Sequence, residues 1–358
     1  MLNTHILKED KRAIAFCDAF VNSKHQPKYI FGRNEYAKSI AAQVEVDGFI
    51  DDFTSDYFYI DKPILKTEDV PKDALVVSVV VGRPFTAKKR LEEAKLKQLD
   101  YFSFYRYAGL PIQQVTCWGD FKVDFASNKI QYKWVFDLLS DQESQKTFNA
   151  IINFRLSNNL SFMEGFVERQ DSQYFEGFLE LQGNGEVFVD VGGFDGSSSL
   201  GFIKNCPYYK EIHFFEPEKN NMSIAVEKLK SYHSINYYEI ALSDNKGFVR
   251  FSINGSSSRF DNNGSIHIYT DKLDDTVSAP VSYIKMDIEG AEKNALMGAQ
   301  NIIKTFHPRL AVCVYHLGDD FWRIPELLLS IREDYNIYLR HYTEGIAETV
   351  MYFVPRQS

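Results

Sequence analysis

The chain has 358 residues, 44% of them apolar, and a formal net charge of −9 at pH 7. A chain of this length and apolar content can bury two hydrophobic cores, so two domains are expected. The acidic charge excludes the basic surface that nucleic-acid-binding proteins present to phosphates.

The first half of the chain alternates strands and helices. We predict a helix up to about Pro27, strands at 28–31, 47–50, 75–81 and 101–104, and helices at 34–44 and 85–99. This alternation predicts a small parallel sheet in an N-terminal α/β domain, residues 1–133. That domain resembles the nucleotide-sugar-binding Rossmann-like domain of some sugar-modifying enzymes, although its first loop keeps only Gly32. A scaffold or acceptor-docking role is therefore favoured over cofactor binding, with Asp51 as the ribose candidate if a nucleotide binds.

Residues 134–182 are interpreted as a helical connector. Apolar residues from Trp134 onward recur at helical spacing, and Ser140-Asp-Gln-Glu143 has the pattern of a capping box before a second apolar helix. The boundary with the first domain is placed near Trp134. Two roles stay open for this segment, a lid over a bound cofactor and simple packing.

A glycine-rich stretch between two predicted strands is the strongest functional signal. The strand at 187–191 leads into Gly192, Gly193 and Gly196, followed by three serines suited to capping a helix. A second strand at 212–215 ends on Glu216, about 20 residues beyond the last glycine, as in nucleoside-binding βαβ units. The glycines let a ligand approach the backbone, and the carboxylate of Glu216 can accept hydrogen bonds from ribose hydroxyls.

The charge of this stretch bears on the kind of cofactor. The glycine loop carries Asp190 and Asp195, which would repel a pyrophosphate and attract a cationic ligand. This favours S-adenosylmethionine, with its ammonium and sulfonium groups, over NAD. A turn whose glycines serve only packing is the alternative.

The remaining elements complete a second α/β domain, residues 183–358. We predict helices at 221–232, 289–304 and 324–332, strands at 236–240, 283–288, 310–315, 336–341 and 348–355, and an inserted antiparallel ribbon at 247–270 with turns at 254–258 and 261–265. Ligands of open α/β sheets bind at the carboxyl ends of the strands. Asp287, Glu289 and His316 each end or follow a strand, so they are expected in one crevice.

Four segments carry a resemblance to a known family. They are VFVDVGGFDGSSS at 187–199, FFEPEKNN at 214–221, IKMDIEGAEKNALMGA at 284–299 and RHYTEGIAETVMYFVP at 340–355. Together they are similar to the FkbM family of S-adenosylmethionine-dependent methyltransferases. The resemblance implies a class I methyltransferase fold, a doubly wound sheet whose last strand inserts antiparallel. It also implies methyl transfer to a hydroxyl, commonly on a sugar or a polyketide.

On this interpretation the candidate site residues fall into two groups. Those assigned to the cofactor are Asp190, Gly192 and Gly196 at the methionine portion, Glu216 at the ribose and Ser243 near the adenine. The catalytic candidates are His316, whose ordinary pKa near 6.5 suits a general base, and Asp287, for which two roles stay open: taking a proton, or holding the cofactor ammonium or the acceptor. His316 as a hydrogen-bonded structural residue is an equal alternative, and His341 is a weaker acceptor-site candidate. Mg²⁺ held by Asp287, Glu289 and His316 stays open, and no metal is assigned.

The predicted function is O-methylation of a sugar, nucleotide-sugar or glycan hydroxyl with S-adenosylmethionine. An NAD-linked oxidoreductase and a non-catalytic cofactor-binding protein are the alternatives. Four widely spaced cysteines without metal-ligand spacing are typical of a reduced, cytoplasmic protein. The charged N-terminus does not resemble a signal peptide, and no stretch has the apolar length of a membrane span. The acceptor and the oligomeric state do not follow from the residues.

Overall fold

A computed structural model describes residues 2, 4, 9–115, 119–252, 259–260 and 266–356. The strands are β1 Lys28–Phe31, β2 Gly48–Ile50, β3 Phe58–Tyr59, β4 Lys62–Leu65, β5 Leu75–Ser78, β6 Lys97–Asp100, β7 Val187–Val191, β8 Glu211–Phe215, β9 Ile235–Tyr238, β10 Ala241–Leu242, β11 Gly247–Ser252, β12 Arg259–Phe260, β13 Ile266–Asp271, β14 Tyr283–Met286, β15 Arg309–Cys313, β16 Tyr335–His341 and β17 Thr349–Pro355. The helices are α1 Lys11–Asn22, α2 Glu35–Ala41, α3 Pro84–Glu93, α4 Tyr101–Tyr107, α5 Phe121–Ser127, α6 Lys129–Leu138, α7 Gln142–Ser157, α8 Ser197–Asn205, α9 Lys219–Leu229, α10 Leu273–Thr276, α11 Glu292–Met297, α12 Gln300–Phe306 and α13 Asp320–Ile331.

The N-terminal sheet has the strand order β3-β4-β2-β1-β5-β6. All its pairs are parallel except the β3–β4 hairpin. Strands β1 and β5 are buried along their whole length, as expected of parallel strands covered on both faces by helices. The predicted parallel sheet in this half is confirmed.

One predicted strand of this half is wrong. Residues 101–104 open helix α4, and the strand lies just before them at β6. The Asp100 carboxylate caps the helix by accepting a hydrogen bond from the Ser103 amide at 2.9 Å. Phe102 and Phe104 are buried, and the Phe104 ring meets Phe20 of α1 edge to face with 5.3 Å between ring centroids. The aromatic run therefore forms the buried face of a helix.

The connector is helical, as predicted, and it joins the two halves. Trp134, the predicted boundary, lies within α6, and α7 follows, with short 3₁₀ turns after it. On α7, Phe154 packs against Phe102 of the N-terminal half, while Phe148 packs against Phe321 of α13. One continuous apolar core therefore runs through both halves.

The predicted cap of α7 is wrong by one residue. The side chain of Asp141 caps the helix by accepting from the Ser144 amide at 2.7 Å. The hydroxyls of Ser140 and Ser144 instead accept hydrogen bonds from the Ile337 and Leu339 amides of β16, at 3.0 and 2.9 Å. These hydrogen bonds attach the start of α7 to β16, an edge strand of the second sheet.

The second sheet has the order β16-β17-β15-β14-β7-β8-β9. Strand β17 runs antiparallel between β15 and β16, and β15, β14, β7, β8 and β9 pair in parallel. The predicted doubly wound sheet with its last strand antiparallel is confirmed. A ribbon in the order β10-β13-β11-β12 follows β9, with β11 and β13 antiparallel as predicted. Its two predicted turns lie outside the described residues.

The loop between β16 and β17 contacts helix α3 and the segment between β5 and α3 in the N-terminal half. The Thr86 amide and hydroxyl donate hydrogen bonds to the Glu344 carboxylate at 2.8 and 2.6 Å. A Cβ on Gly345 would lie 2.4 Å from the carbonyl oxygen of Val81, so the two backbones touch there. In the described part of the chain, no helix has the length and apolar character needed to cross a lipid bilayer.

Candidate active site

A cavity of about 1240 Å³ opens at the carboxyl ends of β7, β8, β14 and β15. Gly192 and Glu216 line one part of it, and Asp287, Glu289 and His316 line another. The expected convergence of these three residues in one crevice is therefore observed. The connector and the β16–β17 loop complete the wall with Gln170, Gln173, Tyr174, Ile346, Ala347 and Glu348.

The glycine loop after β7 is shaped by close backbone contacts. Gly192 has a φ of 72°, and a Cβ there would lie 2.0 Å from the Asp287 carbonyl oxygen, so no side chain fits. A Cβ on Gly193 would meet the Phe214 ring at 2.1 Å. Gly196, with a φ of 82°, starts α8 and packs against α9, and it is absent from the cavity wall.

The two aspartates of this loop have partners inside the protein. Asp190 is fully buried, and its Oδ2 accepts hydrogen bonds from Ser198 and Ser199 at 2.6 and 2.7 Å. The predicted capping role of the serines is thus wrong, because two of them bind Asp190 and Gly196 occupies the cap position. Lys285 Nζ lies 3.2 Å from Asp190 Oδ1, within ion-pair distance although without hydrogen-bond geometry.

Two lysines of the chain compensate the negative charge of the glycine loop, which the sequence analysis expected to attract a cationic cofactor. Lys285 Nζ also donates to the Gly192 carbonyl at 2.6 Å. Burial lowers the pKa of Lys285, but Asp190 and Asp287 outweigh that effect and raise it. Asp195 pairs with Lys228 at 2.5 Å. Both carboxylates therefore have a positively charged partner within the chain. A direct contact of Asp190 with a cofactor stays a prediction.

Glu216 is held in place by backbone amides at the end of β8. Its Oε2 accepts from the Phe194 amide at 3.0 Å, and its Oε1 accepts from the Glu218 amide at 2.9 Å. Burial raises the pKa of this carboxyl group. Asn221 Nδ2 also donates to Oε1 at 3.4 Å. A carboxylate has about four acceptor sites, so Glu216 keeps capacity for one hydroxyl of a ribose.

The wall next to Glu216 is apolar where an adenine is expected. Ile240, Ala241 and Leu242 line it. Ser243 lies behind this wall, where its hydroxyl donates to Asp244 at 3.1 Å and its carbonyl packs against Gly298. The region around Ser243 is therefore next to the cavity, while the Ser243 side chain is not part of its lining.

His316 is surrounded by carboxylates at the opposite part of the cavity. Its Nδ1 bonds Glu292 Oε1 at 2.9 Å, and its Nε2 lies 3.4 Å from Asp287 Oδ1 and 3.8 Å from Glu289 Oε2. Burial lowers the pKa of His316, yet Glu292, Asp287 and Glu289 more than offset this and raise it to about 10. The ordinary pKa expected for a general base at this position is therefore not found.

Asp287 is held by two tyrosines. Tyr174 donates to its Oδ2 at 2.9 Å and Tyr315 to its Oδ1 at 3.3 Å. Burial raises the pKa of Asp287, but Lys285 and His316 outweigh it, and the net shift is downward. Asp287 is therefore a charged acceptor that faces the cavity.

Two further acidic groups lie at this end, and of these Glu348 was not selected from the sequence. Burial raises the pKa of Glu289 to about 7, and burial together with Asp287 raises that of Glu348 to about 7. Glu348 directly precedes β17. Because β17 runs antiparallel to β15, its amino end lies beside the carboxyl end of β15. This geometry is a signal that could have identified Glu348. Tyr174 has no comparable local signal, because only the tertiary fold brings it to Asp287.

His341, the weaker acceptor-site candidate, is structural. It is 1% exposed, its Nδ1 is 2.8 Å from the Thr349 hydroxyl, and its Nε2 is 3.0 Å from the Gly345 carbonyl. Burial lowers its pKa to about 3, so the ring is neutral and holds the β16–β17 loop together.

The cavity fits S-adenosylmethionine by its donor set. Glycines that admit no side chain border it at Gly192 and Gly193, Glu216 offers a ribose acceptor, and an apolar wall follows. The acidic part around Asp287 suits a ligand that carries positive charge.

Residues 190–342 match the model of the methyltransferase FkbM domain. The structure is similar to the crystal structure of the methyltransferase FkbM from Methylobacillus flagellatus KT, with a TM-score of 0.73 and 22% identity over 96% of this chain and 98% of that one. That likeness shows the fold across both halves. An rRNA methylase from Streptococcus thermophilus also matches, with a TM-score of 0.35 and 11% identity over 56% of this chain and 96% of that one, which is too distant to inform the site.

No curated protein sequence matched the chain. The family match covers the glycine loop, Glu216, Asp287 and His316, which line the cavity, and it leaves out the wall residues of the connector and of the β16–β17 loop. Residues 190–342 therefore form a domain that is similar to the FkbM methyltransferase domain, and the chain is an S-adenosylmethionine-dependent methyltransferase.

Proposed function

We propose that the chain methylates a hydroxyl group of a sugar, a nucleotide-sugar or a glycan. The observation that supports this proposal is the acidic part of the cavity, where Asp287, Glu289 and Glu348 line the same space as the glycine loop. Carboxylates accept hydrogen bonds from hydroxyls, and a polyhydroxylated acceptor offers several such donors at once.

The proposed reaction is an in-line displacement at the methyl carbon of the cofactor. The acceptor oxygen forms the new C–O bond, and the electrons of the breaking C–S bond pass to sulfur, which leaves S-adenosylhomocysteine. We assign Asp287 and His316 to positioning the acceptor hydroxyl, which gives up its proton to Glu348. Most of the acceleration would then come from alignment of the two reactants and from the proton acceptor.

The assignment of Glu348 rests on its position. It lines the cavity beside Asp287, and its Oε2 accepts from Gln173 Nε2 at 2.5 Å. That contact fixes the carboxylate and leaves Oε1 for the acceptor. A Glu348→Gln variant keeps the shape and removes the base, so turnover should fall about 100-fold or more while S-adenosylmethionine binding persists.

We propose an acceptor-side role for residues 1–133, with residues 134–182 as the connector and 183–358 as the methyltransferase domain. Two contacts support this division of labour. The Thr86–Glu344 hydrogen bonds hold the loop that carries Glu348, and Tyr174 of the connector reaches Asp287. The N-terminal half would then shape the acceptor wall and leave the cofactor wall to the other half.

A cytoplasmic location is proposed from the thiols. Cys17, Cys206 and Cys313 are free and buried, and burial raises the pKa of Cys17 and of Cys206 to about 12. Such unreactive thiols are common in reducing compartments. Finding the protein in a secreted or periplasmic fraction of its cells would contradict this.

The test of the function begins with calorimetry. S-adenosylmethionine and S-adenosylhomocysteine should bind, and NADH should not. Glu216→Ala should weaken S-adenosylmethionine binding by roughly 10- to 100-fold, since a hydrogen bond to a charged group contributes about 1.5–3 kcal/mol. Glu218→Ala is the matched control, because Glu218 caps α9 through the Asn220 and Asn221 amides and does not line the cavity.

The chemistry is tested with ¹³C-methyl-labelled cofactor and hydroxylated acceptors. The proposal predicts a methyl signal in the ether region of the ¹³C spectrum of the product. A methyl group found on nitrogen or carbon would overturn the O-methylation assignment. Absence of S-adenosylmethionine binding would also remove the basis for the site.

A further inference from the structure

We propose that the acidic part of the cavity binds a divalent cation, with His316 Nε2, Asp287 Oδ1 and Glu289 Oε2 as its protein ligands. The inference rests on the proposed function, because the ion would hold the acceptor hydroxyl in front of the methyl group. Asp287, Glu292 and His316 can each place one ligand atom within 4.8 Å of the others. Glu292 bonds the Nδ1 side of the imidazole ring, whereas Asp287 and Glu289 lie in front of Nε2.

The first observation is a buried nitrogen that points at carboxylates without bonding to them. The His316 side chain is 5% exposed, and in the described part of the chain its Nε2 has no hydrogen-bond partner. Buried polar atoms are rarely left unpaired. The two groups in front of this nitrogen are the oxygens of Asp287 and Glu289, so a cation between them would satisfy all three atoms.

The second observation is how the imidazole ring is held. Its Nδ1 bonds Glu292 Oε1 at 2.9 Å, and the same oxygen accepts from the Ile288 amide at 2.9 Å. Glu292 is 0% exposed, so the ring has one fixed orientation. A carboxylate on one imidazole nitrogen is the usual partner of a histidine whose other nitrogen binds a metal. We therefore assign Glu292 to positioning His316.

The two separations measured from His316 Nε2 are compatible with one ion. Two ligands about 2.1 Å from a metal lie roughly 3.0–3.5 Å apart when they subtend 90–110°. The 3.4 Å between His316 Nε2 and Asp287 Oδ1 lies in this range, and the 3.8 Å to Glu289 Oε2 is slightly wider. The Glu289 side chain is 24% exposed, so a rotation of this side chain can close the difference.

The backbone around the site presents both carboxylates to the cavity. Tyr174 holds Asp287 Oδ2 at 2.9 Å, and Oδ1, which accepts from Tyr315 at 3.3 Å, lies on the side of His316. Glu289 has a φ of 55°, uncommon for a residue other than glycine, and Gly290 follows at 96°. Such backbone strain is often found at ligand sites, and here it turns the chain between β14 and α11 so that Glu289 lines the cavity.

The donor set indicates which ion to expect. Carboxylates suit Mg²⁺, Ca²⁺ and Mn²⁺, whereas imidazole suits later transition metals. Two carboxylates and one imidazole therefore favour Mn²⁺ over Mg²⁺. Three protein ligands leave coordination positions for water and for the acceptor hydroxyl. An ion there would polarise that hydroxyl and ease transfer of its proton.

The test is a titration of the cofactor-free protein with Mn²⁺, in which electron paramagnetic resonance measures the concentration of unbound Mn²⁺. One Mn²⁺ should bind per chain. His316→Gln and Asp287→Asn should each weaken binding by at least about tenfold, and Glu292→Gln, by freeing the ring, by about 10- to 100-fold. Asp195→Asn is the matched control, since it removes one carboxylate from the same cavity and should leave Mn²⁺ binding unchanged.

Further measurements distinguish loss of the metal site from unfolding of the protein and from failure of the proposed methyltransferase function. Circular dichroism checks that each variant is folded, and for the wild type Mn²⁺ should raise the thermal midpoint in a concentration-dependent way. The proposal is overturned if the wild type binds no Mn²⁺ at millimolar concentration, or if a folded His316→Gln variant binds it equally well. Methyl transfer that proceeds at full rate in EDTA would overturn the metal and leave the methyltransferase function intact.

Discussion

Lys285 and Asp190 lie directly opposite each other on β14 and β7, and their charges meet 3.2 Å apart in the interior of the sheet. Lys285 also reaches the Gly192 carbonyl, so the pair connects the sheet to the glycine loop. Asp190, which the sequence suggested for the methionine portion of the cofactor, is already paired with an internal ammonium. Its contribution to binding would then act through the shape of the loop.

Removing one partner of this pair should strongly destabilise the fold. Lys285→Met leaves Asp190 as an uncompensated buried charge, and the free energy of unfolding should fall by about 3–5 kcal/mol. The double variant Asp190→Asn/Lys285→Met should recover most of this loss. Urea unfolding measures both. Lys228→Met is the control, because its pair with Asp195 is about one-third exposed and should contribute no more than about 1 kcal/mol. Equal losses in the single and double variants would contradict the pairing.

Gly192 should be irreplaceable for two separable reasons. Gly192→Ala introduces both an unfavourable φ and a clash with the Asp287 carbonyl, and we expect at least a tenfold loss of S-adenosylmethionine affinity, measured by calorimetry. Gly109→Ala is the matched control, since Gly109 has a φ of 64° and open space around its Cα. It should cost about 1 kcal/mol in stability and leave the affinity unchanged. A Gly192→Ala protein with normal affinity would show that the loop does not border the cofactor.

The contact between Thr86 and Glu344 should affect the acceptor rather than the cofactor. Glu344→Ala frees the β16–β17 loop that carries Glu348, and kcat/KM for the acceptor should fall about tenfold or more. The calorimetric affinity for S-adenosylmethionine should stay the same. Thr86→Val should have a similar effect, and the double variant should be no worse than either single one. Additive losses would indicate that the two residues act separately.

Acid should destabilise the protein through His341. Its pKa is about 3 in the folded chain and about 6.5 when unfolded. Between these values the unfolded chain binds a proton that the folded chain does not, so stability falls as the pH drops from about 6.5 towards 3. The loss approaches about 1.4 kcal/mol per pH unit. His341→Gln should lower stability at pH 8 but reduce this slope, as denaturation at several pH values would show. An unchanged slope would contradict the assignment.

The main features of the fold could be predicted because its signals are local. The apolar strand before Gly192 and the strand ending on Glu216 give a βαβ unit without tertiary information. The carboxyl-end rule then places Asp287, Glu289 and His316 together. Residues 101–104 show the limit of this reasoning. Their aromatic content favours a strand, and the helix forms because Asp100 caps it and α1 offers an apolar surface.

The chemistry of the site was harder to predict from the sequence, because the pKa and the charge of each group depend on side chains from distant segments. Residue type alone suggested an ordinary imidazole at His316, but three carboxylates raise its pKa. The charge of Asp190 was visible in the sequence, whereas its neutralisation required the register between β7 and β14. Tyr174 and Glu348 reach the cavity from the connector and from the antiparallel strand, which no spacing rule for parallel strands covers.

The hydrogen bonds from β16 to the hydroxyls of Ser140 and Ser144 have a practical consequence for the design of protein fragments. A fragment that starts at residue 183 would lack Ser140 and Ser144, and with them the acceptors for the Ile337 and Leu339 amides. Strand β16 would become a bare outer edge with unpaired backbone groups, which is a template for sheet-to-sheet aggregation. The methyltransferase domain should therefore be handled with its connector attached, even where only cofactor binding is studied.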